Sequence, residues 1–188
     1  MITDSEPPAG AESGVSGEDE PSRTCTDLTI GDERWDCVAG LQDLISKLAL
    51  ETLREVQLSP SSHCVSVALL SGAEVRSLNK AFRGVDSPTN VLSFPSPSAA
   101  RALGRKDEPV FLGDVALSYE TVESEASAQD KTMLQHAAHL VVHGILHLAG
   151  FDHGGDADAE CMEAAERNIL AKFDIPDPYG EAALANAH

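Results

Sequence analysis

The stretch HGILHLAGFDH, residues 143–153, decides the fold and the chemistry of this chain. Its first two histidines, His143 and His147, are four positions apart and therefore share one face of a helix, one turn above the other. Gly150 lets the chain leave that helix through a backbone conformation that other residues resist, which turns His153 back toward the first two imidazoles. Three neutral imidazoles that converge on one point suit zinc and leave a fourth position for water. The spacing therefore predicts one zinc ion per chain.

The residues around these histidines predict a buried helix, because it is apolar nearly all round. Buried imidazoles need partners, so the alternative is a set of histidines that are hydrogen-bonded inside a core. Cys161 follows closely enough to close the fourth zinc position in a purely structural site, although its amphipathic surroundings favour a small buried residue. The apolar positions are Leu140, Val141, Val142, Ile145, Leu146 and Leu148.

The same helix resembles the zinc helix of the metzincin peptidases, with one difference. Those enzymes carry H-E-x-x-H, in which the glutamate acts as general base. Gly144 occupies the glutamate position here and has no side chain that could take a proton. A peptidase that works by this mechanism is therefore disfavoured.

Two further blocks precede the histidines. They read NKAFRGVDSPTNVLSFP at residues 79–95 and LGDVALS at residues 112–118. Together with HLVVHGILHLAGFDH at residues 139–153, they resemble the YbeY family of bacterial endoribonucleases, also called rRNA maturation factors. The resemblance covers about residues 23–179 and includes the closing DPY at residues 177–179.

This resemblance implies a zinc-dependent, single-strand-specific endoribonuclease that matures ribosomal RNA at the 3′ end of 16S rRNA and takes part in ribosome quality control. It implies the small ribosomal subunit and its proteins as partners, and neither DNA nor a membrane. By position, Arg83 matches the arginine that is important for function in the family. The three histidines, His143, His147 and His153, match its zinc ligands.

Several other residues of the matching blocks are candidates for supporting roles. They would act beside Arg83, whose guanidinium group would bind the scissile phosphate through two N–H donors. Asn90, with Thr89 and Ser93, would shape the cleft, and Asn90 would contact substrate. His139, Asp114 and Asp152 are candidates to orient the zinc histidines. His136 is expected to be an ordinary surface histidine.

The net charge of −18 is unusual for a protein that binds RNA, since such affinity comes largely from Lys and Arg on phosphates. Residues 1–22 hold six carboxylates and no Lys or Arg, and the remaining 25 carboxylates still outnumber the 13 basic residues by 12. Local binding would depend on a basic group that is clustered in sequence. Its members are Arg76, Lys80, Arg83, Arg101, Arg105 and Lys106.

Composition divides the chain into a core domain with two tails. Residues 1–22 are polar and rich in Ser, Gly, Pro and Glu, which predicts a disordered acidic tail. Residues 23–180 are expected to form a single metal-dependent hydrolase domain, and residues 181–188 a flexible C-terminal tail. The absence of a membrane-length apolar run, a signal peptide or a C-x-x-C pair favours the cytoplasm.

Periodicity predicts the order β-α-β-α-β-β-α-α-α and hence an α+β domain with a mixed sheet of about four strands packed with helices. The expected helices include Trp35 to about Val56 and Lys131–Gly150. The last strand is expected at Asp114–Ser118, after a candidate mobile flap over Pro95–Pro109.

Three functions compete at this point. The first is the zinc endoribonuclease, in which either water or the RNA 2′-hydroxyl attacks the phosphorus. The second is a non-catalytic, zinc-containing ribosome-assembly factor. The third is a peptidase-like hydrolase, against which Gly144 argues.

Overall fold

Four strands and five α-helices form in the part of the chain that the computed structural model describes, residues 26–97, 99 and 109–180. The strands are β1 (Thr26–Ile30), β2 (His63–Leu70), β3 (Val91–Pro95) and β4 (Val110–Ser118). The helices are α1 (Leu41–Glu55), α2 (Gly72–Arg83), α3 (Tyr119–Ala128), α4 (Met133–Leu148) and α5 (Asp156–Ala171). The predicted order of strands and α-helices is confirmed.

Two boundaries differ from the prediction by more than two residues. The helix expected from Trp35 is split into a short 3₁₀ helix, Glu33–Cys37, and α1, because Gly40 between them has a left-handed backbone with φ of 80°. Strand β4 begins at Val110 rather than Asp114, because it pairs with β2 from its first residue onward. The expected tails and most of the expected flap lie outside the described residues.

The four strands form one mixed sheet in the order β1-β2-β4-β3. Strands β1, β2 and β4 run parallel, whereas β3 lies antiparallel to β4 at the edge. The predicted α+β class with a four-stranded mixed sheet is confirmed for the described residues. No described helix is long and apolar enough to cross a membrane.

The two faces of the sheet are covered unequally. Alternate residues of β2, such as Val65, Val67 and Leu69, belong to the main core together with apolar residues of α1, α4 and α5. The opposite face carries a smaller cluster in which Val75 of α2 packs against Leu92 and Ala116. Helix α4 is thus buried between the sheet and the helices α1, α3 and α5, as its apolar composition predicts.

Helix α4 has well-defined ends. Thr132 begins it with a capping box, in which its hydroxyl accepts from the Gln135 N–H and the Gln135 side chain accepts from the Thr132 N–H. After the helix, Gly150 has φ of 95°, the left-handed conformation that the sequence predicts. The chain therefore turns immediately after His147, in the direction that brings His153 back.

Helix α4 also lies very close to the sheet at Gly144. A Cβ atom at this position would lie 2.6 Å from Val115 Cγ1 of β4 and 3.1 Å from Ser93 Oγ of β3. The Ser93 hydroxyl donates a hydrogen bond to the Gly144 carbonyl over 3.1 Å. The glycine is therefore a packing requirement that sets the distance between α4 and the two strands beside it.

Candidate metal centre

The three predicted histidines come together at the end of α4. One ring nitrogen of each lies within 4.8 Å of the corresponding nitrogens of the other two. The rings of His143 and His147 meet edge to face with centroids 4.6 Å apart, and the ring of His153 lies 5.0 Å from that of His147. The helix supplies the first two histidines of the cluster and the turn at Gly150 brings the third, as the spacing predicts.

Hydrogen bonds fix which nitrogen of two of these rings faces the centre. His143 Nδ1 lies 2.8 Å from a carboxylate oxygen of Glu166, and His147 Nδ1 lies 3.0 Å from the Phe151 carbonyl. Both oxygens are acceptors, so each Nδ1 carries the proton and each Nε2 presents a lone pair. Burial, followed by the neighbouring His143, lowers the pKa of His147 and favours the neutral ring that a metal requires.

The two lone pairs face each other. His143 Nε2 and His147 Nε2 are 3.1 Å apart, and with both Nδ1 atoms protonated neither can donate to the other. This arrangement is repulsive unless a cation lies beside both nitrogens. Tetrahedral zinc with bonds of about 2.1 Å separates its ligand atoms by about 3.4 Å. The donor set and its spacing therefore fit a zinc ion.

Arg83 shares an open cavity of about 640 Å³ with the three histidines. It is the last residue of α2, and Gly84, with φ of 73°, ends the helix immediately after it. The Arg83 side chain is exposed and makes no ion pair with any described carboxylate. Its guanidinium group is therefore free to bind an anion in the cavity.

Asn90 lines the same cavity, but the protein already uses both ends of its side chain. Its Oδ1 accepts from the Val91 N–H over 2.7 Å, and its Nδ2 donates to Glu125 over 2.9 Å. Ser93 also lines the cavity and bonds to α4 through Gly144. Both residues therefore shape the wall of the cleft, and one Nδ2 hydrogen of Asn90 is left for a substrate.

The structure brings two of the three predicted supporting residues to the site. Asp152 lines the cavity and accepts the backbone N–H of His153 over 2.8 Å, so it holds the turn rather than the ring. His139 lies one turn before His143, with its ring centroid 6.1 Å away. Asp114 is exposed in a different groove beside Asp27, because alternation along β4 directs it away from α4.

Glu166 is a site residue that the sequence analysis missed. It lies on α5, is completely buried, and accepts hydrogen bonds from His143 Nδ1, His139 Nε2 and the Tyr179 hydroxyl. Burial opposes its ionisation, but the hydrogen bonds from His139 and His143 outweigh it and lower the pKa of Glu166 to about 2. A signal was available, since a carboxylate on the same stripe as Met162, Ile169 and Leu170 would face the core.

Two further expectations are wrong. His136 is buried rather than on the surface, and its Nε2 bonds to Glu125 over 2.8 Å. It lies on the stripe of His139 and His143, which is the signal that would have placed it inside. Cys161 is exposed rather than buried and is not part of either group of described residues that could hold a metal.

The described part of the predicted basic group is partly neutralised. Arg76 and Lys80 of α2 both bind the carboxylate of Asp86, over 2.7 Å and 2.8 Å. The remaining members, Arg101, Arg105 and Lys106, lie outside the described residues. Of the described members, Arg83 alone is without an ion pair to a described carboxylate.

Comparison with known proteins connects this site to a family. The model of the family described as Endoribonuclease YbeY matches residues 30–174. A Bradyrhizobium relative named Endoribonuclease YbeY is 41% identical over 156 residues, which cover 83% of this chain and 92% of that protein. One from Azorhizobium caulinodans is 44% identical, over 81% and 94% of the two chains. A solution structure from Thermotoga maritima matches with a TM-score of 0.51 and 26% identity, over 81% and 97%.

Proposed function

Because the chain belongs to the Endoribonuclease YbeY family, we propose that it is a zinc-dependent endoribonuclease that cleaves single-stranded RNA. Its substrate is ribosomal RNA, at the 3′ end of 16S rRNA, and its cellular role is rRNA maturation and ribosome quality control. Residues 23–180 form the catalytic domain, and the small ribosomal subunit with its proteins is the partner. The compartment is the cytoplasm, and neither DNA nor a membrane takes part.

The observation that carries this proposal is the shared cavity of the three histidines and Arg83. Two imidazole lone pairs 3.1 Å apart provide a place for a cation, and a free guanidinium group opens onto the same space. A phosphodiester needs both a Lewis acid and a fixed positive charge for the charge that develops on its oxygens.

The residues of the chain have separate tasks in this reaction. His143, His147 and His153 would hold zinc, which supplies Lewis acidity toward a phosphoryl oxygen and makes a nucleophile available near neutral pH. Arg83 binds the scissile phosphate through two parallel N–H donors and offsets its charge as the bond breaks. Asn90 and Ser93 shape the wall beside the phosphate. The same arrangement serves attack by water and attack by the RNA 2′-hydroxyl.

Replacement of Arg83 tests the role of the arginine. Arg83→Ala should keep one zinc per chain and the fold, since this side chain is exposed and contacts no ligand histidine. Cleavage of single-stranded RNA should fall by about 10²- to 10³-fold, as for loss of one transition-state donor. Arg83→Lys should restore little, because a point charge does not reproduce the bidentate fork. Initial cleavage rates of the zinc-loaded proteins measure both effects.

Replacement of a ligand histidine is the matching control for the metal. His147→Ala should lose stoichiometric zinc, measured by elemental analysis, and lose cleavage for that reason. One tightly bound zinc in His147→Ala would overturn the ligand assignment. Undiminished cleavage by Arg83→Ala would remove the arginine from the mechanism. A pure, zinc-loaded wild-type protein that cleaves no RNA would instead favour the non-catalytic assembly factor.

A further inference from the structure

The carboxylate of Glu166 is the most deeply buried charge beside the histidine cluster. Its side chain has no solvent exposure, and no Lys or Arg of the described residues pairs with it. Burying a carboxylate costs free energy, because the charge loses its hydration. Three donors from two other parts of the chain nevertheless converge on it. These are His143 Nδ1 at 2.8 Å, His139 Nε2 at 3.0 Å and the Tyr179 hydroxyl.

We infer that Glu166 is the positioning residue of the proposed zinc site, and that His139 and Tyr179 hold it in place. The inference rests on the proposed function, since it gives Glu166 a task only if His143 binds a metal. By accepting a hydrogen bond from His143 Nδ1–H, the carboxylate fixes the tautomer that presents Nε2 to the ion. Its negative charge also makes the His143 imidazole a stronger electron-pair donor to a metal ion.

This role explains the closing DPY segment, which lies far from the histidines in sequence. Asp177 accepts the Tyr179 N–H over 2.9 Å, and Lys131 donates to the Pro178 carbonyl over 2.9 Å. The first bond stabilises the turn within the segment, and the second fixes the segment beside the start of α4. The Tyr179 ring stands edge-on to the ring of His139, 5.6 Å between centroids, so its hydroxyl reaches Glu166. The segment therefore supports the proposed metal site indirectly, through the hydrogen bond of Tyr179 to Glu166 and that of Glu166 to His143.

A second metal between His139, His143 and Glu166 is the competing interpretation, since these three also lie within ligand distance of one another. It would require His143 to lose its Nδ1 proton and to bridge two cations. The separations of 2.8 Å and 3.0 Å are ordinary hydrogen-bond lengths and need no ion. Hydrogen bonding also leaves His143 Nε2 free for the first site.

The tautomer of His143 tests the inference without any substitution. Long-range ¹H–¹⁵N spectra of the imidazoles distinguish a proton on Nδ1 from one on Nε2. In the metal-free and the zinc-loaded wild-type protein, His143 should carry its proton on Nδ1. A proton on Nε2 in the metal-free protein would overturn the inference. This measurement gives an answer even if the protein cleaves no RNA, so it separates failure of the inference from failure of the proposed function.

Glu166→Gln tests the charge, because glutamine keeps the size and one acceptor oxygen. Zinc affinity, measured by competition with a chromophoric chelator, should fall by about 10- to 100-fold. Glu163→Gln is the matched control, since Glu163 is on the same helix but half exposed and paired with Arg167. It should keep wild-type affinity. Equal affinities in Glu166→Gln and wild type would overturn the inference, as would two zinc ions per wild-type chain with one lost in Glu166→Gln.

Discussion

At the scale of single residues, local geometry made the histidine cluster predictable, whereas the buried partner of His143 depends on tertiary packing. His143 and His147 are placed by the pitch of one helix, and His153 by one glycine turn, so the sequence alone is sufficient. Glu166 is 23 positions beyond His143, and only the packing of α5 on α4 brings the two together. Asp114 was expected near the histidines because it lies in a matching motif. A motif does not specify which face of a strand a side chain occupies, and Asp114 lies in a different groove.

Gly144 gives a prediction at this scale. Gly144→Ala should destabilise the protein, because the new Cβ would lie 2.6 Å from Val115 Cγ1. Overpacking costs about 1–3 kcal/mol, and the better helix propensity of alanine returns about 1 kcal/mol of it. We expect a net loss of up to about 2 kcal/mol in the free energy of unfolding, measured by urea denaturation.

Gly154→Ala is the control for this measurement. A Cβ there would meet only Asp152 Oδ2, at an ordinary 3.6 Å, and the backbone is not in the left-handed region. Its stability should stay within about 0.5 kcal/mol of wild type. If Gly144→Ala were as stable as this control, the close packing of α4 on β4 would not be a constraint on position 144.

At the scale of elements, periodicity located α4 to within two residues at each end. Thr132 begins this helix with a capping box, and Gly150 follows its end. The start of β4 was predicted less accurately, because its first residues are held in an extended conformation by pairing with β2 rather than by their own sequence. The sheet order also has a crossover, β2 beside β4, which the order of the elements along the chain does not specify.

Helix α2 gives a prediction about RNA affinity. Asp86→Asn should free Arg76 and Lys80, which this carboxylate now binds, on the helix that ends in Arg83. Binding of single-stranded RNA should tighten at low salt. The slope of log affinity against log salt should steepen by up to about 1.4, which is about 0.7 for each new phosphate contact. Titration of a fluorescent RNA at several salt concentrations measures this slope.

Asp43→Asn is the matched control, since it frees Lys47 on α1, a helix that does not line the cavity. It removes the same charge and should leave the slope near its wild-type value. An equal change in both variants would mean that overall charge, rather than the cations of α2, governs binding.

At the scale of the whole molecule, the acidic charge and the proposed RNA substrate are reconciled by the different ranges over which charges act. Arg83 opens onto the cavity, while residues 1–22 hold six of the 31 carboxylates and no Lys or Arg. A net charge sets the long-range field, whereas the catalytic contacts depend on a few groups at short distance. Composition could therefore predict weak electrostatic attraction but could not locate the site.

The acidic segment gives the prediction at this scale. We propose that residues 1–22 are not needed for folding or for metal binding, because they have too few large apolar side chains to contribute to a core. A variant that lacks them should keep its thermal midpoint and one zinc per chain, measured by calorimetry and elemental analysis. A clear fall in the midpoint would show that the segment packs on the domain.

The spacing between α4 and the sheet also limits what this scaffold could become. Peptidases with H-E-x-x-H keep a glutamate directly after the first histidine, and one substitution would place it at position 144. Here that side chain would enter space filled by Val115 and Ser93. An evolutionary path from phosphodiester to peptide chemistry, or a design that attempts it, must therefore first move two strands away from the helix. The ligand spacing is easily shared between enzyme classes, whereas the room for a general base is not.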